Sequence, residues 1–162
     1  MIISRSEAII MSSFLRMLSL DSKRLTSLTE AAMAEFERSD SKEEEKNEYL
    51  RKYIEIKFSN YTNTYLKIFI GRYLHFEFDI VGNEPKLEEC PCCQFKTLKK
   101  LSEYFICPVC FWEDDGTSDN DKFSGANKMT LGEAKMNFSE FKAISERCLP
   151  YLDEDRFLQF VR

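Results

Sequence analysis

Apolar and polar positions along the first half of the chain recur at helical spacing. Ile9, Ile10, Phe14, Leu15 and Leu18 repeat at intervals of about three and four, and Ser4 with Glu7 has the form of a capping box, which predicts a helix over 5–19 with that apolar set on its buried face. Leu28, Ala32 and Phe36 predict a second helix over 25–36. The charged run SDSKEEEKNEYL, 39–50, reads as a solvated helix start rather than a linker. Ser41 and Glu44 repeat the capping pattern, acids suit the first turn, and Tyr49, Leu50, Tyr53, Ile54 and Phe58 carry an apolar stripe through 42–58. A further helix from Thr62 or Asn63 would bury Tyr65, Leu66, Phe69, Ile70, Tyr73 and Leu74, although Gly71 weakens it.

At HFEFDIV, 75–81, the period shortens to two, with Phe76, Phe78 and Ile80 alternating against His75, Glu77 and Asp79 as in a half-buried strand. Gly82-Asn83-Glu84-Pro85 ends it, so a mostly helical region, 1–82, is expected to give way to a second region, 83–162. There Thr130 and Glu133 again form a capping pattern, and Leu131, Ala134, Phe138 and Phe141 predict a helix to about Arg147. Pro150 marks its exit, and the closing residues suit a short helix or a strand.

Candidate chemistry is concentrated between these elements. Cys90-Pro91-Cys92-Cys93 and Cys107-Pro108-Val109-Cys110 each spell C-P-x-C, with 13 residues between them. Such a turn presents two sulfurs on one side, and two turns supply the four thiolates that tetrahedral Zn2+ takes at about 2.3 Å. Proline fixes φ inside each turn and lowers the entropy lost on closure. Cys90, Cys93, Cys107 and Cys110 are therefore the expected metal ligands, in a zinc-ribbon-like hairpin. Cys92, at the x position, is expected to point away, and it and Cys148 read as small buried hydrophobes. A disulfide framework belongs to secreted chains, and a redox C-x-x-C needs a βαβ context. Four thiolates also leave no open position for catalysis, so the site reads as structural. His75, the single histidine, reads as a strand-end residue with no nucleophile or acid motif beside it.

Phe111-Trp112-Glu113-Asp114-Asp115 follows the second turn, with Asp119 and Asp121 beyond it, which makes five acids in nine residues. A Ca2+ loop is excluded, because counting from Asp119 the sixth position is Ser124 and the twelfth is Thr130. Phe111 and Trp112 are expected to pack over the turn. Trp112, Glu113, Asp114, Asp115, Asp119 and Asp121 form a candidate contact set for a cationic partner, the plain alternative being a solvated edge.

CPCC, KTL, ICPVCFWEDD, GAN and L-x-EA-x-x-NF, together spanning 88–143, resemble the bacterial cysteine-rich CPCC family. The family carries Gly after the first turn, where Gln94 stands here. The resemblance implies a small zinc-ribbon-like module with Phe111 to Asp115 and Gly125-Ala126-Asn127 as fixed loops, and it implies no established activity. The fold expectation is α+β: an N-terminal helical region packed with this module and a C-terminal helix.

Charge narrows the function. A net charge of −5 and a pI near 5.1 argue against general affinity for nucleic acid, leaving Lys96, Lys99 and Lys100 with Phe95 and Tyr104 as a thin alternative patch. No apolar run approaches the ~20 residues of a membrane helix, and the start lacks the pattern of a cleaved signal, so the expected location is cytoplasmic. Small acidic bacterial proteins of this type resemble immunity partners of toxins, and an acidic face suits the basic groove of a nuclease. The leading expectation is thus a non-enzymatic immunity protein binding a cognate protein toxin. A small enzyme using Glu113, Asp114, Asp115 and Asp119 is the alternative.

Overall fold

The computed structural model describes residues 1–37 and 43–162; the Ser41–Glu44 capping pair lies outside the described residues. Two compact units divide the chain, Met1–Pro85 and Lys86–Arg162. The architecture is mixed, with helices predominating and strands short.

The first unit begins with a strand absent from the sequence reading. β1 (Ile2–Ser4) pairs in parallel with β2 (Asp79–Val81), Ile3 opposite Ile80. The expected strand over 75–81 is thus confined to its last three residues, and Phe76 and His75 are exposed. α1 (Arg5–Ser19) follows, with both halves of the Ser4/Glu7 capping box formed. Its inner face matches the expected one only in part, with Ile9 and Leu15 packed against the core. Arg5, Ala8, Ser12 and Ser13 point inward, while Ile10, Phe14 and Leu18 stay exposed. Small side chains let neighbouring helices approach closely, so Ala8 and Ser12 outcompete the larger apolar residues for the inner face. Arg5 donates to Asn63 Oδ1 at 2.5 Å and to the Ser59 and Tyr61 carbonyls at 2.9 and 2.7 Å, satisfying acceptors where the next helices meet.

α2 (Ser22–Glu35) starts earlier than expected because Asp21 caps it, accepting from the Arg24 N–H at 2.8 Å. α3 (Glu43–Phe58) and α4 (Asn63–Gly71) follow, α4 capped by Thr62. α4 stops at Gly71, so Tyr73 and Leu74 lie in the turn beyond it. Leu50, Ile54 and Phe58 from α3 meet Tyr65, Leu66, Phe69 and Ile70 from α4 in one core, where the Phe58 and Phe69 rings lie 4.9 Å apart.

The second unit is built on two hairpins. β3 (Glu88–Glu89) and β4 (Lys96–Leu98) run antiparallel around the first cysteine turn, and a bridge between Ile106 and Glu113 closes the second. β5 (Phe123–Ser124) and β6 (Met129–Thr130) lead into α5 (Leu131–Phe141), whose Thr130/Glu133 capping box is complete. α5 ends before the expected Arg147, because Lys142 takes a left-handed conformation (φ 61°). A 3-10 segment, Glu146–Tyr151, contains Pro150, and α6 (Arg156–Gln159) precedes the C-terminal residues. Among the described residues no helix is long and apolar enough to cross a membrane.

Candidate metal centre

Each C-P-x-C turn folds in the same way. The Gln94 N–H donates to the Cys90 carbonyl at 2.9 Å, and the Phe111 N–H donates to the Cys107 carbonyl at 2.9 Å. Cys90 N–H then pairs with Phe95 O at 2.9 Å, and Cys107 N–H with Trp112 O at 2.8 Å. The residue after each second cysteine adopts a left-handed backbone, Gln94 at φ 64° and Phe111 at φ 73°. Gln94 therefore holds a left-handed conformation that Gly adopts without strain, at a steric cost of ~1–2 kcal/mol. The two turns are near-copies, brought face to face.

Their sulfurs converge. Cys90, Cys93, Cys107 and Cys110 are all buried, and their Sγ atoms lie within 4.8 Å of one another. Cys90 and Cys110 are 3.6 Å apart, as are Cys93 and Cys107. These separations far exceed the ~2.05 Å of a disulfide. A tetrahedron with metal–sulfur bonds of about 2.3 Å has edges of about 3.8 Å, so the donor set fits a four-thiolate metal ion with little adjustment. The four positions expected from spacing are thus the ones the fold assembles.

Proton sharing follows from this crowding, since thiolates cannot accumulate in one buried site without a cation. Hydrogen bonding with Cys107 pushes Cys90 up, and burial, followed by hydrogen bonding with Cys107 and Cys90, pushes Cys110 up. At Cys107 burial acts upward too, but hydrogen bonds from Cys110, Cys90, Cys93 and Thr97 outweigh it and hold that thiol well below its usual range. Cys92 is buried and lies outside the set of four. Cys148 lies apart and half-buried.

The acidic stretch is mostly internal. Trp112 and Asp114 are 0% and 2% exposed, which corrects the expectation that they face a partner. Asp114 accepts from the Ser102 N–H at 2.7 Å and the Gly116 N–H at 3.4 Å. Burial acts upward on Asp115, but hydrogen bonds from Ser124, Thr117 and Ala126 hold its carboxyl below the usual range. Glu113 is half-buried, its N–H donating to Asn127 Oδ1 at 2.9 Å while Asn127 Nδ2 donates to the Glu113 carbonyl at 2.8 Å. Ser124 joins the two, donating to Asp115 at 2.7 Å and accepting from Asn127 Nδ2 at 2.7 Å. Asp119 and Asp121 remain exposed, with the Asp121 N–H donating to the Asp119 carboxylate at 3.1 Å.

Further chain wraps the hairpins. The Ile144 N–H donates to Cys110 O at 2.8 Å, Asn137 Nδ2 holds Ile144 O at 2.8 Å, and Arg156 Nε donates to Val109 O at 3.1 Å. Asn127 was expected only as part of the fixed Gly125-Ala126-Asn127 loop, Asn137 was signalled only by its place in L-x-EA-x-x-NF, and Ser124 had no assigned role from sequence.

Residues 88–156 match the family model described as Cysteine-rich CPCC. No curated protein and no solved structure matches the chain.

Proposed function

From a chain whose residues 88–156 form a cysteine-rich CPCC domain around four facing thiols, we propose a zinc-stabilised bacterial immunity protein that binds and neutralises a cognate protein toxin in the cytoplasm, without catalysis of its own. The observation that carries this reading is the surface between the two cysteine turns. Leu101, Tyr104, Phe105 and Ile106 are 46%, 62%, 42% and 51% exposed, yet the backbone beneath them is fixed. Ser102 and Tyr104 are held left-handed at φ 60° and 59°, and Tyr104 and Phe105 exchange backbone hydrogen bonds with Asp114. An apolar surface already in one conformation loses little entropy on docking, which suits a protein partner.

The negative charge supports a cationic groove as the target, with exposed Asp119 and Asp121 among the steering acids. Asp114 and Asp115 are occupied by internal hydrogen bonds, which weakens the enzyme alternative. Of the three lysines in the nucleic-acid alternative, Lys100 pairs with Glu103 at 2.5 Å, which thins that patch further.

Co-expression with the neighbouring gene's product tests the reading. A stable complex and loss of toxicity are expected, and both should weaken in Tyr104→Ser with the metal content unchanged. Full toxicity beside the expressed wild-type chain would sink the proposal.

A further inference from the structure

Thr97 occupies an irregular place in the first hairpin. Glu88 lies opposite Leu98 and Glu89 opposite Lys96, so β4 carries one extra residue, Thr97, where the register shifts. A bulge breaks the in-out alternation of a strand and re-aims a side chain. Here Thr97 and Leu98 are both buried in succession, and the Thr97 hydroxyl reaches the Cys107 sulfur at 3.2 Å. Its other neighbour, the Phe95 carbonyl, lies at 3.5 Å, a much weaker arrangement for the single hydroxyl proton. In the second hairpin the matching place is held by Asp114, which is turned to the Ser102 and Gly116 amides instead. The near-symmetry of the two turns is therefore broken at this point.

We propose that Thr97 is a positioning residue of the metal centre, donating its hydroxyl proton to the Cys107 thiolate and making that sulfur chemically distinct from the other ligands. The inference rests on the four cysteines taking up a metal. A metal-bound cysteine sulfur carries no proton, so in the loaded centre only the hydroxyl can donate. Charge-assisted hydrogen bonds are stronger than neutral ones, and removing an outer partner of a ligand typically lowers metal affinity by about 10–100-fold. The donated proton also draws electron density from the sulfur and lowers the energy of its lone pairs.

Co2+ is a suitable probe because its thiolate charge-transfer bands report sulfur energies directly. Wild type, Thr97→Val and Thr97→Ser would be titrated with Co2+, with the visible ligand-field bands confirming tetrahedral coordination in each. Thr97→Val should bind at least about tenfold more weakly and shift a charge-transfer band to lower energy, and Thr97→Ser should restore both. Weaker binding with unshifted bands would mean that Thr97 only fills space, and it would overturn the inference, as would a Val variant identical to wild type. A wild-type chain that takes up no Co2+ would overturn the metal reading itself, and this inference with it.

Discussion

Gln94 and Phe111 carry the same backbone demand with different side-chain consequences. Both are left-handed, but Phe111 also packs its ring 5.9 Å from that of Tyr151, whereas Gln94 is exposed. Gln94→Gly should therefore stabilise the chain by up to about 1 kcal/mol in denaturant unfolding, with metal binding retained. Among the acids, burial separates neighbours. Asp114→Ala removes a buried carboxylate that accepts from the Ser102 and Gly116 amides and should cost about 1–3 kcal/mol, while Asp119→Ala at the exposed loop should stay within about 0.5 kcal/mol. Equal effects of the two substitutions would contradict this account of the acidic stretch.

At the scale of elements, the end signals were more legible than the faces. Ser4/Glu7 and Thr130/Glu133 mark helix starts because a capping box needs only local residues at fixed spacing, and both are formed. Thr130→Ala should cost about 1 kcal/mol in the second unit, measured by its thermal or denaturant transition. The inner face of α1 was legible only at Ile9 and Leu15, which pack against the core. Periodicity ranked Ile10, Phe14 and Leu18 by hydrophobicity, but tertiary packing selected Ala8 and Ser12 for close approach and kept Arg5 inward for its acceptors. β1 escaped notice because three residues give no period, and its partner β2 is distant in sequence. The metal ligands were legible because a C-x-x-C spacing directly encodes sulfur geometry. Thr97 was not, since a strand bulge exists only once the register of both strands is known.

For the whole molecule, the two units imply different dependence on metal. Among the described residues, the hydrophobic core of the first is drawn from residues 3 to 80, so its helices are expected to persist without metal. Metal uptake by the second must displace the protons that Cys90 and Cys110 hold above the usual thiol range. Protons thus compete with the cation, and apparent affinity should fall as pH falls, by about tenfold per unit for each proton displaced. Affinity that stays flat between about pH 6 and 8 would contradict that proton balance.

The most direct test of the central claim uses Trp112, the single tryptophan, which is fully buried beside the second cysteine turn. Chelation of the metal-loaded chain should shift its emission to the red in step with metal loss, while most of the far-ultraviolet helical signal from α1 to α4 persists. Trp112 emission that stays unchanged after the metal has left would contradict the claim that the four-cysteine centre holds the second unit together.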